Sequence, residues 1–449
     1  MSRLFGTDGV RGVANVELTA ELAFQLGKYG AYVLSKGKKA ATIVVGKDTR
    51  VSGYMLESAL IAGIMSAGCT AYCVGVTPTP AIPHLIKHYH ADAGVMISAS
   101  HNPVQFNGIK FFSGTGFKLS DELEDEIEGL ISGRIPYPQT IGGTEVGRRV
   151  FHFEANHIYA QKVKSTGQYD FTGIKVAMDC ANGASFEVSP STLRELGCEV
   201  VVINNHPDGL NINRDCGSTH LDKVARLVKE VGAHIGIAYD GDADRMLAVD
   251  ENGDEVDGDK IMVIIAAAKK QQNTLVNNTV VSTVMSNMGF DKALSSLDIQ
   301  SVKTKVGDRY VLEAMVEGGH VIGGEQSGHV ILLEHNTTGD GLLSSVMLIE
   351  AMRMSGKKMS ELAQIMKVYP QVLKNTHVPN AEKYRILEHP EIKVAIEKVE
   401  TALSGDGRLL IRPSGTEPLV RVMLEGPDQG TITAHCDYLI DVIEQVFNT

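Results

Sequence analysis

The feature that most constrains the fold of this chain is an alternation of strand-like and helix-like segments that occurs three times. In the first copy, three apolar runs read as buried strands, and two helix-like segments separate them: ATIVVGKDTR, YMLESALIAGIMSAG, CTAYCVGV, AIPHLIKHYH and AGVMISASHNP. Strands that alternate with helices predict a parallel sheet with helices on its faces. The pattern therefore indicates an α/β chain that is built from related units.

Two further copies and a different C-terminal region follow. The second copy runs from GIKVAMDCANG to HIGIAYDGDADR, and the third from NTVVSTVMSN to HVIGGEQSGH. The C-terminal region reads as a helix, two short strands around a polar turn and a final helix, which predicts a smaller α+β domain. A chain of 449 residues is too long for one compact core. We expect three α/β domains with mixed, mostly parallel sheets and then the α+β domain, at residues 1–150, 151–254, 255–370 and 371–449, with Gly-, Pro- or Asp-rich connections at 133–147 and 251–259.

Composition limits the classes of partner and compartment. The net charge of −12 argues against a general nucleic-acid binder, so an anionic ligand must be met by a local cluster of arginines and backbone amides. No apolar run reaches the length of about 18 residues that a membrane span needs, and MSRLFGTDGVRG has no hydrophobic signal core. Six scattered cysteines lack paired metal spacing and read as free thiols. These features predict a cytoplasmic protein with no membrane partner.

The last strand of each copy ends in a different polar loop. SASHNP follows the first, DGDADR the second and GGEQSGH the third. Because ligands of open α/β sheets bind beyond the carboxyl ends of the strands, we expect the three loops to contribute to one shared site.

The DGDADR loop predicts a metal site. Asp240, Asp242 and Asp244 occupy alternate positions, which in a tight loop can turn three oxygen ligands toward one cation. A solvated acidic loop and an EF-hand are the alternatives. Glu251 stands at the twelfth position of an EF-hand, but Arg245 replaces the glycine required at the sixth. Few carboxylates and open positions suit Mg²⁺ that awaits a phosphate oxygen.

The SASHNP loop places a hydroxyl next to an imidazole at the tip of a strand. Ser100 and His101 can simply satisfy backbone groups there. No glycine flanks Ser100, so the G-x-S-x-G elbow of a hydrolase is absent. The functional alternative is a serine that carries a phosphoryl group, which a neighbouring metal would stabilise.

Two more segments offer ligand-binding groups. In RPSGTEPLVR, a turn that contains Ser414, Gly415 and Thr416 can surround an oxyanion, while Arg412 and Arg421 add charge-assisted hydrogen bonds. A generic polar hairpin turn is the alternative. In GGEQSGH, Glu325 and Ser327 can bind sugar hydroxyls and His329 can carry a proton, although each residue alone can be a helix cap or a buried polar group.

The motifs together are far more specific than any one of them. TDGVRG, SASHNP, DGDADR, GEQSGH and RPSGTEP, in this order and at these distances, resemble the α-D-phosphohexomutase family along essentially the whole chain. FGTDGVRG, KVGDRYV at Lys305–Val311 and Gln326 most resemble the branch that acts on amino sugars. The resemblance implies four domains around a central cleft, with the fourth closing over the substrate phosphate.

The resemblance also implies a role for each candidate residue. Ser100 is expected to be the phosphoserine and to bind Mg²⁺ together with Asp240, Asp242 and Asp244. The candidates for proton transfer are Lys110, His329, His101 and Arg11, the last more as an electrostatic partner. The residues expected to bind the substrate are Arg245, Glu325, Ser327, Arg412, Ser414, Gly415, Thr416 and Arg421.

The implied activity is an intramolecular phosphoryl transfer. Glucosamine 6-phosphate and glucosamine 1-phosphate would interconvert through a sugar 1,6-bisphosphate, which is both intermediate and activator, as a step toward cell-wall precursors. The expected partner is a phosphorylated amino-hexose, and the sequence leaves a homodimer open. Phosphomannomutase or phosphoglucomutase activity is the alternative within the family.

Two readings from other functional classes stay open at this point. An aspartate-nucleophile sugar phosphatase would place phosphate on Asp240, but Asp244 fits poorly where its motif requires Thr or Val. A non-catalytic sugar-phosphate sensor would bind through RPSGTEP, yet it would have no use for Ser100 as a phosphoryl carrier.

Overall fold

The computed structural model describes residues 3–6, 8–36, 38, 40–138, 141–414 and 417–447. Its internal contacts divide the chain into two compact units. The first unit is Met1–Met285 with Leu297–Ile365, and the C-terminal unit is Ser286–Ser296 with Met366–Thr449. Three sheets lie in the first unit and one lies in the C-terminal unit.

The first sheet has six strands: β1 (Val10–Val13), β2 (Thr42–Lys47), β3 (Thr70–Val76), β4 (Ala93–Ile97), β5 (Phe106–Ser113) and β6 (Arg149–Phe151). Their order is β1-β5-β4-β2-β3-β6, with parallel pairing among β4, β2, β3 and β6 and antiparallel pairing at β5. The helices of this region are α1 (Ala20–Ser35), α2 (Ser52–Ser66), α3 (Ala81–Tyr89) and α4 (Asp121–Ile131). Strand β4 is buried throughout, which explains its uninterrupted apolar run. The predicted element order of the first copy is confirmed.

The second sheet contains β7 (Lys175–Asp179), β8 (Glu199–Ile203), β9 (Ile235–Tyr239), β10 (Met246–Asp250) and β11 (Glu255–Val256), in the order β11-β10-β9-β7-β8. Its helices are α5 (Ala155–Lys164), α6 (Val188–Glu195) and α7 (Asp222–Val231). The stretch 251–259, predicted to be a connection, instead forms a hairpin, because β11 pairs with β10. Asp250 Oδ1 accepts the backbone N–H groups of Asn252 and Asp254 and so closes the turn.

The third sheet contains β12 (Thr279–Thr283), β13 (Gln300–Thr304), β14 (Ile322–Gly324) and β15 (Val330–Leu332), in the order β13-β12-β14-β15. The helices of this part of the chain are α8 (Gly258–Gln271), α9 (Met288–Ser296), α10 (Asp308–Gly318), α11 (Gly341–Ser355) and α12 (Met359–Ala363). Helix α9 forms where the third copy predicts a helix, and its residues group with the C-terminal unit.

The C-terminal unit is built on an antiparallel sheet. It contains β16 (Gln371–His377), β17 (Arg408–Pro413) and β18 (Leu419–Glu425) in the order β16-β18-β17, with α13 (Pro390–Leu403) and α14 (Gln429–Phe447). The fully buried carboxylate of Glu425 accepts hydrogen bonds from Arg408, from Asn287 and from the N–H of Met288. These bonds hold the start of α9 against the sheet, which is why α9 groups with this unit.

The remaining helices are single turns of 3-10 type at Gly143–Glu145, Gly217–Thr219, Val276–Asn278 and Ile386–Glu388. Within the described ranges, no helix combines the length and the apolar character that crossing a membrane requires. The six cysteines are buried free thiols, as the sequence predicted.

A buried polar network joins distant segments of the first unit. The hydroxyl of Tyr159 on α5 donates to Asp340 Oδ1 at 2.6 Å, and the same oxygen caps α11 by accepting the N–H of Leu343. The amide of Asn336 donates to Asp340 Oδ2 and to the carbonyl of Pro80, both at 2.9 Å. Because these groups are buried, each bond that is lost leaves a desolvated polar atom behind.

Replacement of Tyr159 by Phe tests this network. The change removes one donor to a buried carboxylate, and we expect it to cost about 1–3 kcal/mol and to lower the thermal unfolding midpoint by a few degrees. The matched control is Tyr169→Phe, because Tyr169 is 41% exposed and we expect a change within about 0.5 kcal/mol. Equal midpoints for the two variants in differential scanning calorimetry would contradict the assignment.

Candidate active site

The three polar loops converge in the first unit. Ser100 follows β4, the acidic loop follows β9, and the loop of Glu325 follows β14. The hydroxyl of Ser100 donates to Asp240 Oδ2 at 2.5 Å, although 140 residues separate the two in sequence. Glycine is required where the loops meet, because a Cβ on Gly241 would lie 2.6 Å from the carbonyl oxygen of Ser100.

Asp240, Asp242 and Asp244 form a buried acidic triad. Their ligand oxygens lie within 4.8 Å of one another. Burial, together with the charges of Asp244 and Asp242, raises the pKa of Asp240 to about 8. Asp242 Oδ1 and Asp244 Oδ1 are buried and have no hydrogen-bond partner in the described part of the chain. Carboxylate oxygens held close together without partners suit a hard divalent cation.

One ammonium group neutralises part of this charge. Lys110 Nζ lies 2.8 Å from Asp242 Oδ2, 3.5 Å from Asp244 Oδ2 and 3.0 Å from Asp8 Oδ2. Burial opposes the charge of Lys110, but the three carboxylates raise its pKa above the usual range. The three carboxylates therefore favour the protonated form of Lys110 in this arrangement.

A second cluster of charged side chains lies beside Lys110, and the sequence motifs predicted no role for its members Asp8, Lys118 and Asp308. Lys118 Nζ is 2.5 Å from both Asp8 Oδ1 and Asp308 Oδ2, and Arg11 also contacts Asp8. Burial opposes the charge of Asp8, while Lys110, Lys118 and Arg11 hold its pKa well below the usual range. Asp8 and Asp308 lie within the quoted motifs TDGVRG and KVGDRYV, whereas nothing in the sequence marks Lys118.

The first copy also supplies a contact that the sequence did not predict. Thr79 Oγ1 donates to Asp242 Oδ2 at 2.6 Å, and the N–H of Thr79 donates to the carbonyl oxygen of Asp242. Thr79 therefore fixes both the side chain and the backbone of the middle member of the triad.

The two histidines differ in their surroundings. His101 Nδ1 lies 3.5 Å from Ser100 Oγ, and burial together with the charges of Arg245 and Arg11 lowers its pKa. His329 Nδ1 lies 3.7 Å from Asp244 Oδ2, and its Nε2 accepts the N–H of Gly339. Burial opposes a charge on His329, but Asp244 and Asp308 raise its pKa. The surroundings of His101 thus favour its neutral form next to Ser100, whereas those of His329 favour its protonated form beside Asp244.

A cavity of about 440 Å³ opens beside these groups. The acidic residues that line it include Asp8, Asp308 and Glu325, and the basic residues include Arg11 and Arg245. Glu325 Oε1 accepts the N–H of Gly307 at 3.1 Å. The cavity therefore presents hydrogen-bond acceptors as well as cationic donors to a ligand.

The Ser327 hydroxyl lies on the same loop as Glu325. Ser327 Oγ is buried and has no hydrogen-bond partner among the described residues. A buried hydroxyl in this state is available to a ligand.

The predicted anion-binding segment lies in the C-terminal unit. Arg412 on β17 faces Arg421 on β18, and burial together with Arg421 lowers the pKa of Arg412. Arg421 Nε is buried without a partner in the described residues. Lys383, which the sequence did not indicate, donates to the carbonyl of Ser414 at 2.6 Å. Gly415 and Thr416 lie outside the described residues.

Comparison with known proteins agrees with this arrangement. Profiles of the phosphoglucomutase/phosphomannomutase family match residues 2–135 (alpha/beta/alpha domain I), 155–253 (alpha/beta/alpha domain II), 257–369 (alpha/beta/alpha domain III) and 373–442 (C-terminal domain). Together they cover most of the chain in the expected order.

One relative and two solved structures illustrate the similarity. A phosphoglucosamine mutase from Acetivibrio thermocellus is 56% identical over 446 residues, 99% of each chain. A phosphoglucomutase/phosphomannomutase family protein from Burkholderia thailandensis has a TM-score of 0.82 at 22% identity, over 99% of this chain and 98% of that one. N-acetylphosphoglucosamine mutase of Aspergillus fumigatus, solved with GlcNAc-6P and magnesium, has a TM-score of 0.69 at 16% identity, over 99% and 96%. The resemblance seen in the motifs is confirmed: the chain belongs to the phosphoglucomutase/phosphomannomutase family and to its phosphoglucosamine mutase branch.

Proposed function

We propose that this chain interconverts glucosamine 6-phosphate and glucosamine 1-phosphate by way of a phosphoserine at Ser100. The observation that carries the proposal is the hydrogen bond from the Ser100 hydroxyl to Asp240, a member of a buried aspartate triad in which two oxygens have no partner among the described residues. The relatives named phosphoglucosamine mutase support the same reaction. The chain is therefore an isomerase that moves a phosphoryl group within its substrate.

The reaction consists of two phosphoryl transfers. In the first, the bond between phosphorus and Ser100 Oγ breaks, a bond forms to a free sugar hydroxyl, and the product is a 1,6-bisphosphate. The hydroxyl loses its proton as Ser100 Oγ regains one, so protons balance. In the second transfer, the bisphosphate has turned over in the site, and its other phosphoryl group is transferred to Ser100 Oγ. The same bisphosphate supplied from outside would phosphorylate a resting enzyme.

Asp240, Asp242 and Asp244, together with the phosphate on Ser100, would hold Mg²⁺, which when bound neutralises charge on the transferring phosphoryl group. Magnesium is present in the solved structure of the Aspergillus fumigatus enzyme. Around the triad, the ammonium of Lys110 and the guanidinium of Arg245 remain to balance the phosphate. In phosphoryl transfer, such positioning and neutralisation outweigh general base catalysis.

Proton transfer falls to the imidazoles in this proposal. His101 is close to Ser100 Oγ, and its lowered pKa keeps the ring neutral and able to accept a proton. His329, whose pKa is raised, can hold a proton on the other side of the triad. Lys110 contributes positive charge beside the triad, and Arg11 contributes charge through Asp8.

Substrate choice follows from the acceptors that line the cavity. An ammonium at the 2-position only donates hydrogen bonds, whereas a hydroxyl also accepts them. Asp308 and Glu325 at the cavity wall therefore favour the amino sugar. Arg412, Ser414 and Arg421, together with Gly415 and Thr416, would bind the phosphate that is not being transferred.

A cytoplasmic location agrees with the six free thiols, and we assign no nucleic-acid or membrane partner.

The phosphoserine can be tested directly by mass spectrometry. We expect phosphate on Ser100 in at least part of the purified protein, because its hydroxyl lies at the end of β4 and donates to Asp240 of the triad. Ser100→Ala should remove both the phosphate and the mutase activity. Localisation of the phosphate to an aspartate alone, with net hydrolysis of sugar phosphates, would favour a phosphatase instead.

The metal can be tested without an activity assay. Mg²⁺ at about one hundred times its Kd should stabilise the fold by about 2.7 kcal/mol and raise the thermal midpoint accordingly. Asp242→Asn should abolish most of that shift, because a charged ligand is lost. Asp179→Asn is the matched control: Asp179 is also fully buried at a strand end but lies outside the triad, and its Mg²⁺ shift should persist. A midpoint insensitive to Mg²⁺ in the unmutated protein would contradict the assignment.

Steady-state assays with three sugar phosphates test the substrate. We expect kcat/KM for glucosamine phosphate to exceed the values for glucose phosphate and mannose phosphate by at least about tenfold, since a buried, well-paired polar group discriminates by that amount or more. Each assay is started with the matching bisphosphate. An equal or higher kcat/KM for mannose 6-phosphate would leave a phosphohexomutase but overturn the amino-sugar substrate.

A further inference from the structure

The backbone of Ser100 has an unusual conformation. Its φ is +53°, in the left-handed region that residues other than glycine rarely adopt. A residue with a Cβ pays roughly 1–2 kcal/mol there, so surrounding bonds must hold it. The conformation matters because it belongs to the residue whose hydroxyl faces Asp240.

One guanidinium organises the loop around Ser100. Arg50 follows β2 and is fully buried. Its Nε donates to Asp48 Oδ2 at 2.9 Å. The other two nitrogens donate to four backbone carbonyls of the serine loop, those of Ser100 (3.0 Å), Asn102 (2.8 Å), Pro103 (2.6 Å) and Phe106 (3.1 Å). All five N–H donors of the guanidinium are thus used, four of them on this loop.

The N–H of Ser100 is held by the same cluster. It donates to Ser98 Oγ at 3.0 Å, and Ser98 Oγ in turn donates to Asp48 Oδ2 at 2.7 Å. Asp48 therefore joins Arg50 on one side to Ser98 on the other. Both polar groups of the Ser100 backbone are bonded to side chains rather than to a strand or helix.

A second side chain approaches the loop from the region between β8 and α7. Asn213 Nδ2 donates to the carbonyl oxygen of Ser100 at 2.8 Å and to that of Asn102 at 3.2 Å. The carbonyl of Ser100 thus receives one N–H from the first sheet region and one from the second. Fixing this carbonyl fixes the peptide plane, and with it the direction of the side chain.

We propose that Arg50 and Asn213 are positioning residues, which hold the Ser100 carbonyl so that the Ser100 hydroxyl or its phosphate stays aligned with the acidic triad. The inference rests on the proposed role of Ser100 as phosphoryl carrier. Neither residue needs to touch the substrate. Lysine cannot replace Arg50, because one ammonium cannot reach four carbonyls arranged around a planar fork.

Three variants test this role. Asn213→Gly removes the amide, and glycine tolerates the φ of +57° found there. Arg50→Lys keeps the charge beside Asp48. The matched control is Asn204→Gly: Asn204 also has a positive φ, of +50°, but its amide bonds Asp179 and not the serine loop.

The readouts are kcat, KM, the thermal midpoint and the rate at which glucosamine 1,6-bisphosphate phosphorylates Ser100. We expect Asn213→Gly to lower kcat and the phosphorylation rate about tenfold and Arg50→Lys about a hundredfold, with KM changed less than about twofold, since misplacement of a reacting group costs such factors. Asn204→Gly should leave all rates within about twofold.

Three results would overturn the inference. The first is an Asn213→Gly enzyme whose kcat and Ser100 phosphorylation rate match the unmutated protein. The second is a loss in Asn213→Gly that only equals the loss in Asn204→Gly. The third is a rise in KM with unchanged kcat. If Ser100 of the unmutated protein never carries phosphate, the proposed function itself fails, and that outcome is separate from the other three. Should Arg50→Lys fail to fold, Asn213→Gly still decides the question.

Discussion

Mutual repulsion among three buried carboxylates is the constraint on which the rest of this site depends. Unit charges within 4.8 Å of one another repel by roughly 3 kcal/mol or more per pair at an effective dielectric constant near 20. Lys110 offsets part of this charge, and Asp240 responds with a raised pKa. In the part of the chain that the structure describes, Asp242 Oδ1 and Asp244 Oδ1 still have no hydrogen-bond partner. The fold therefore keeps a buried site with negative charge that is not fully neutralised, which suits a cation.

The fold can hold such a site because buried hydrogen bonds connect the segments that surround it. Strands of three different sheets end where the loops converge, and buried polar contacts such as Tyr159 with Asp340 connect segments far apart in sequence. Thr79 bonds the backbone and the side chain of Asp242, so the first sheet region positions a member of the acidic triad that the second region carries. A destabilising cluster of charge is in this way supported by hydrogen bonds outside it.

Periodicity predicted most elements, because strands such as β4 and β9 are buried and leave continuous apolar runs. It also predicted the triad and Ser100, whose chemistry is concentrated in short motifs. It did not predict the hairpin that Asp250 closes within the connection 251–259, nor the packing of α9 with the C-terminal unit through Glu425. Lys118 and Thr79 were missed, since single polar residues in ordinary surroundings carry no pattern.

The sequence by itself determined the order of strands and helices, the family and the chemical nature of the loops, because these depend on local periodicity and on residue types at short spacing. Tertiary structure decided the protonation and the orientation of those groups. The pKa of Lys110 is raised because Asp8 and Asp242 lie beside it, and the pKa values of His101 and His329 shift in opposite directions because their charged neighbours differ. The left-handed backbone of Ser100 likewise depends on Arg50 and Asn213, which come from distant parts of the chain. Electrostatic and hydrogen-bonding effects act through space, so no local reading of the chain could have supplied them.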